Sequence, residues 1–138
     1  MILFSQLKLG YAQSTVEIVG NWVVDADKTF DSMDTKKKMR FDSMPLTKRQ
    51  DIKQSFQGRV FHLYTDSRAE ISFSVLGNSK LIQGAWSYSI ESKRLLISAD
   101  GKSSKYIVQW IDNNHLKFIF TGYSTQGLLQ SLFLARNN

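Results

Sequence analysis

The stretch Glu17–Val24, EIVGNWVV, decides how the rest of the chain is read. Its branched residues and its tryptophan suit a strand. The next strand-like sequence begins only at Arg59, after the polar stretch DADKTFDSMDTKKKMRFDSMPLTKRQDIKQSFQG, residues 25–58. A connection of that length is no tight turn. The first strand must therefore find its partner across an insert with structure of its own.

Working outward, short β-rich runs follow one another from Arg59 to Arg136: RVFHLYT (59–65), AEISFSV (69–75), LIQGAWSYS (81–89), KRLLIS (93–98), KYIVQW (105–110), HLKFIF (115–120) and LLQSLFLAR (128–136). Between them stand Asp66-Ser67-Arg68, Leu76-Gly77-Asn78-Ser79, Glu91-Ser92, Ala99-Asp100-Gly101-Lys102, Asp112-Asn113-Asn114 and Thr121-Gly122-Tyr123. These supply the Gly, Asn and Asp that tight hairpins need at positive backbone angles. With EIVGNWVV the runs make eight candidate strands in meander order. Apolar side chains recur at every second position: Phe61 and Leu63; Ile71, Phe73 and Val75; Trp86 and Tyr88; Leu95 and Ile97; Tyr106 and Val108; Leu116, Phe118 and Phe120. That period buries one face and leaves the other wet. Such a sheet either closes into a barrel, which removes its edges, or packs as a sandwich, and meander order favours closure. The predicted fold is all-β: an eight-stranded antiparallel up-and-down barrel with a helical insert between strands one and two.

Within the insert, Thr47-Lys-Arg-Gln50 has the form of a capping box and predicts a helix start near that point. Ile52 and Phe56 then share one face, and Gly58 is placed to end the helix. A shorter turn of helix is expected between Lys28 and Met39. The 138 residues suit one domain with a real core, comprising residues 1–138 with 25–58 as its insert.

Composition excludes more than it identifies. Apolar residues at 42% and charged residues at 22% describe an ordinary globular chain, which argues against disorder or a fibrous repeat. The net charge of +6 is spread out, because the one basic run, Lys36–Arg40, lies among Asp25, Asp27, Asp31, Asp34, Asp42 and Asp51. Nucleic acid is accordingly a poor candidate partner. The absence of cysteine removes disulfides and thiolate metal sites. No apolar run has the length of a membrane-spanning helix. The N-terminal MILFSQLKLGYAQS resembles the end of a secretory signal without its basic beginning, which points toward a secreted or periplasmic location. The alternative is a native segment packed against the fold in residues 1–14, with a cytoplasmic location left open.

Chemistry is thinly represented. His62 and His115 have no metal-ligating neighbours at useful spacing. No nucleophile elbow, phosphate-binding glycine loop or paired carboxylate occurs, and Glu70 and Glu91 read as solvated strand-end charges. No enzyme activity and no cofactor or metal are expected.

Gly20-Asn21-Trp22 on the first strand resembles the Gly-x-Trp signature of the lipocalins and their wider calycin relatives, and Arg136 on the last strand resembles the arginine that crosses that tryptophan. The resemblance runs over the strand succession from Glu17 to Arg136. It extends to bacterial lipocalin-like proteins with a helical insert after the first strand and a second Gly-x-Trp mid-chain, here Gly84-Ala85-Trp86. The family's middle signature, a Thr-Asp-Tyr-like turn between strands six and seven, is matched loosely by Trp110-Ile111-Asp112.

The resemblance implies that Gly20, Trp22 and Arg136 are structural, and that the insert is a lid carrying Ile52 and Phe56 over the open mouth. It also implies a small hydrophobic ligand in the barrel. The aromatic set Phe61, Phe73, Trp86, Tyr88, Tyr106, Trp110 and Phe118 would line its pocket, and the same residues would equally make a solid core. The other reading is an interaction module with a filled core that binds a protein or its own copy as a homo-oligomer, suggested by the long charged insert and the apolar MILF.

Overall fold

The computed structural model describes residues 18–121 and 129–137. The apolar N-terminal segment and, from Gly122 on, the turn expected at Thr121-Gly122-Tyr123 lie outside the described residues. Eight strands close in chain order: β1 (Gly20–Val24), β2 (Val60–Leu63), β3 (Arg68–Val75), β4 (Asn78–Ser89), β5 (Arg94–Ala99), β6 (Lys102–Asp112), β7 (His115–Phe120) and β8 (Ser131–Arg136). All neighbours are antiparallel, and β1 closes the barrel against β8 through Trp22↔Arg136 and Val24↔Leu134. The meander expected from the sequence is the fold observed.

Register places the period-two residues inward. Phe61 faces Trp22 and Ile71 across two ladders, Trp86 pairs with Ile97, and Val108 pairs with Phe118. Trp22, Leu95, Val108, Leu116 and Phe118 are completely buried, which is the burial that holds the barrel together. The pattern fails at Val75, which is exposed because the β3–β4 hairpin runs on past its neighbours. Both residues of that hairpin's turn have positive φ, Leu76 at 51° and Gly77 at 81°. The Asp100-Gly101 turn, at 55° and 72°, reaches the same conformation with side chains better suited to it.

Gly84 lies where β4 crosses β5 so closely that a Cβ would stand 2.0 Å from the Ser98 carbonyl oxygen and 2.8 Å from Ala99. Its partners Ala69 and Ala99 are also small, so one ring of the wall has no bulk to spare.

Three helices occupy the insert: α1 (Ala26–Asp31), α2 (Thr35–Asp42) and α3 (Leu46–Phe56). The expected single turn before α3 is therefore two helices. Each begins on an aspartate, with Asp25 Oδ1 accepting from Lys28 N at 3.1 Å and Asp34 Oδ1 from Lys37 N at 2.8 Å. The expected capping box is not formed. α3 starts at Leu46 behind Pro45, without a side-chain cap, so Thr47 is already inside the helix. The proline fixes φ near the helical value and sets the start in place of a hydroxyl. Gly58, at φ 74°, ends α3 as its position suggested and turns the chain into β2.

α1 is anchored to the wall. Asp25 N donates to the Phe133 carbonyl at 2.8 Å, and Phe133 N donates to the completely buried Thr29 hydroxyl at 3.0 Å. Ala26, Phe30 and Phe41 form a small second core, with Met33, Met44, Ile52 and Phe56 packed on it. Phe56 also touches the barrel core and so joins the two.

Candidate functional site

The two barrel ends are built differently. At one end lie the hairpins β2–β3, β4–β5 and β6–β7 and the entry to β1; at the other lie the β3–β4 and β5–β6 hairpins and the insert. Sequence separation explains the second end, since only a connection as long as 25–58 has enough chain to cover it.

The first end is closed. Trp22 Nε1 donates to the Ile18 carbonyl at 2.8 Å, and the Trp110 ring stands edge-on to Trp22 with centroids 5.7 Å apart. The Arg136 guanidinium carbon lies 4.4 Å from the Trp22 ring centroid, a cation–π contact. Its Nη1 donates to the Val19 carbonyl at 3.2 Å, and Nε and Nη2 both donate to the Asn113 carbonyl at 3.4 and 3.3 Å. Gly20, at φ 138°, leaves room for this arginine, because a Cβ there would meet its Nη1 at 3.2 Å. The β6–β7 turn is stiffened by Asp112, whose Oδ1 accepts from Asn114 N at 2.8 Å and lies 2.8 Å from His115 Nδ1. Those contacts, the backbone one first, hold the Asp112 carboxyl below its ordinary range.

The second Gly-x-Trp belongs to this end too. Trp86 is buried and its Nε1 donates to the Tyr64 carbonyl at 2.9 Å, inside the β2–β3 turn. Tyr88, one inward step further along β4, is partly buried beside it. The middle of the barrel holds Phe61, Tyr106 and Phe118, whose rings contact one another at centroid distances of 6.5, 5.4 and 5.2 Å. Phe120 caps Tyr106 at 4.8 Å.

The seven aromatic residues named from the sequence thus fall into three places. Trp86, Tyr88 and Trp110 belong to the closed end, and Phe61, Tyr106 and Phe118 interlock in the middle. Phe73 alone stands at the open end. There the structure adds a residue that sequence reasoning missed. Arg59 follows Gly58, and strand alternation puts its side chain on the inner face with Phe61. Its guanidinium carbon lies 4.2 Å from the Phe56 ring centroid and 4.9 Å from that of Phe73, between the insert and the wall. Nε donates to the Ser55 carbonyl at 3.2 Å. Burial pushes the Arg59 pKa down, against a small opposing effect of Tyr106. Burial likewise raises the Tyr106 phenol, with a Ser104 hydrogen bond and the Arg59 charge opposing. Of the two residues expected on a lid, Phe56 meets this cation and Ile52 packs into the insert's own core.

An open groove of about 260 Å³ lies between α3 and the β3–β4 hairpin, lined by Gln54, Gln57, Ser74, Leu76 and Gly77. It is smaller and more polar than the usual small-molecule pocket of roughly 300–1,000 Å³. The histidines lie away from both ends' interiors: His62 Nδ1 is 2.6 Å from Asn21 Oδ1 on the outer face, and His115 is paired in its turn. Among the described residues no group of three or more His, Asp or Glu side chains is placed to hold a metal ion, and no helix is long and apolar enough to cross a membrane.

No family model matches the chain, and neither the curated proteins nor the solved structures contain a significant match. The geometry of the two ends therefore carries the functional argument.

Proposed function

We propose that the protein is a non-enzymatic, lipocalin-like barrel that binds a small hydrophobic molecule entering at the open end, beneath the helical insert. The observation that carries this reading is the position of Phe56. It belongs to the insert's core and to the barrel's, and so seats the helices over the mouth as a lid would be seated. The Trp22–Arg136 arrangement at the opposite end is the support for lipocalin-like kinship. Because the Phe61–Tyr106–Phe118 rings occupy the middle, the ligand belongs above them, against Phe73, Phe56 and the upper wall.

Titration with fatty acids, retinoids and haem tests this reading by calorimetry and by thermal shift. Trp86 and Trp110 sit toward the closed end and make poor reporters of the mouth. Saturable one-to-one binding that is weakened in Phe56→Ala supports it, and no binding by any of these molecules rejects it. A second reading, a filled barrel that associates with a protein or its own copy, is favoured by the exposed Leu76 and Leu81 of the β3–β4 hairpin. Concentration-dependent mass by light scattering, abolished in Leu76→Asn/Leu81→Thr, is its expected signature.

A further inference from the structure

We propose that Arg59 is the headgroup receptor of this barrel, and that the ligand is an apolar carboxylate whose anionic end pairs with the guanidinium while its tail lies against the aromatic wall. The inference rests on the ligand-binding reading above and names the class of ligand.

The argument begins with hydrogen-bonding capacity. Arginine carries five N–H donors in a planar fork. In Arg59 the Nε–H is taken by Ser55, and the two Nη groups meet no protein acceptor among the described residues. No described carboxylate lies within 4.0 Å of Arg59, whereas Lys53 and Arg68 each hold an aspartate at 2.8 and 2.7 Å. No buried polar side-chain atom lacks a partner among the described residues, so these Nη groups reach solvent and are open to an anion from outside, on a cation that is partly withdrawn from water.

The fixed surroundings also matter. Two rings, Phe56 and Phe73, sandwich the fork at 4.2 and 4.9 Å, and Ser55 holds its stem. A long side chain held in this way has already lost much of the freedom that binding would otherwise remove. A planar fork whose Nη groups have no protein acceptor among the described residues matches a carboxylate bidentately.

Charge around the mouth agrees. Register pairs Phe73 with Lys80 and Ala99 with Lys102, so two lysines share the inward-facing rows at the rim, beside Asp100 in the β5–β6 turn; in the insert above them Asp27 is paired with Lys53. A basic rim attracts anions toward the stack. The apolar half of the ligand follows from the rings of Phe56 and Phe73 beside the cation.

The test compares dodecanoate with dodecanol, both below their aggregation limits, by calorimetry on the full chain and on Arg59→Met and Arg59→Lys. Wild type is expected to bind dodecanoate about tenfold or more tightly than dodecanol, the effect of one charge-assisted contact. Arg59→Met is expected to remove that preference, and Arg59→Lys to retain part of it. The Arg59 Nε–Hε resonance of wild type shifts with dodecanoate and not with dodecanol, a readout that needs no variant to fold. Equal affinity for the two probes in wild type, or a preference that survives in a folded Arg59→Met, overturns the headgroup assignment and leaves the ligand-binding reading standing. If neither probe binds, both fall.

Discussion

Two arginines stack on aromatic rings at opposite ends of one barrel, and they are held in opposite ways. Arg136 lies over Trp22 and donates to the carbonyls of Val19 and Asn113, so its charge ties three chain segments together. Arg59 lies by Phe56 and Phe73 and donates to a single carbonyl, that of Ser55 in the preceding helix. The same side chain is a structural clasp where backbone acceptors converge and an open receptor where they do not. The difference lies in the acceptors around each fork and not in the stacking, which both share.

The comparison is broken most severely by emptying the closed end. Trp22→Ala is expected to destabilise the fold by about 3–5 kcal/mol in chemical denaturation, because it leaves a cavity and removes the surface on which Arg136 and Trp110 rest. Phe73→Ala at the open end, where the ring is only partly buried, is expected to cost about 1 kcal/mol or less. Gly84→Ala comes next. A methyl against Ser98 and Ala99 backbone cannot be accommodated by a rotamer change, and a loss of about 1–3 kcal/mol is expected in the same assay.

Exchanging the arginines themselves is the sharper test. Arg136→Met is expected to lower stability by about 1–2 kcal/mol through lost charge-assisted bonds. Arg59→Met is expected to be neutral or mildly stabilising, since it replaces a desolvated cation with an apolar chain of similar length. Equal losses in the two variants would show that Arg59 is a clasp as well.

Two smaller effects follow. The Tyr106 phenol has a raised pKa in the fold, so the unfolded chain releases its proton first. Its contribution is complete below the ordinary phenol value of about 10 and is lost as pH rises from there through the folded value. Tyr106→Phe removes that component of alkaline instability, measured as the slope of unfolding midpoint against pH. Leu76→Asn relieves a bulky residue at φ 51° and is expected to stabilise the hairpin by about 0.5 kcal/mol, seen as a small rise in midpoint.

Particular residues show which parts of this were legible beforehand. The period-two rows of β5, β6 and β7 could be read directly, because alternation is a local consequence of the pleat. Gly58 as a helix stop was legible for the same kind of reason. Thr47 misled, since the capping-box pattern is short and Pro45 fixed the start two residues earlier. Asp25 and Asp34 carried the capping signal of α1 and α2 but read as scattered charges in a polar stretch. Trp86, Trp110 and Phe61 were all legible as inward-facing. Their division between closed end and middle was not, because it depends on where each strand enters the barrel.

The sequence alone determined the strands, their order, the closed antiparallel barrel and the presence of a helical insert, since these follow from local periodicity, turn chemistry and the length of 25–58. Tertiary structure alone decided the character of the two ends. Phe56 and Phe73 belong to an insert helix and to the third strand, and nothing in their spacing places a guanidinium between them. Only closure of the barrel, with the insert folded across its mouth, brings the two rings around Arg59 while leaving its charge without a carboxylate among the described residues.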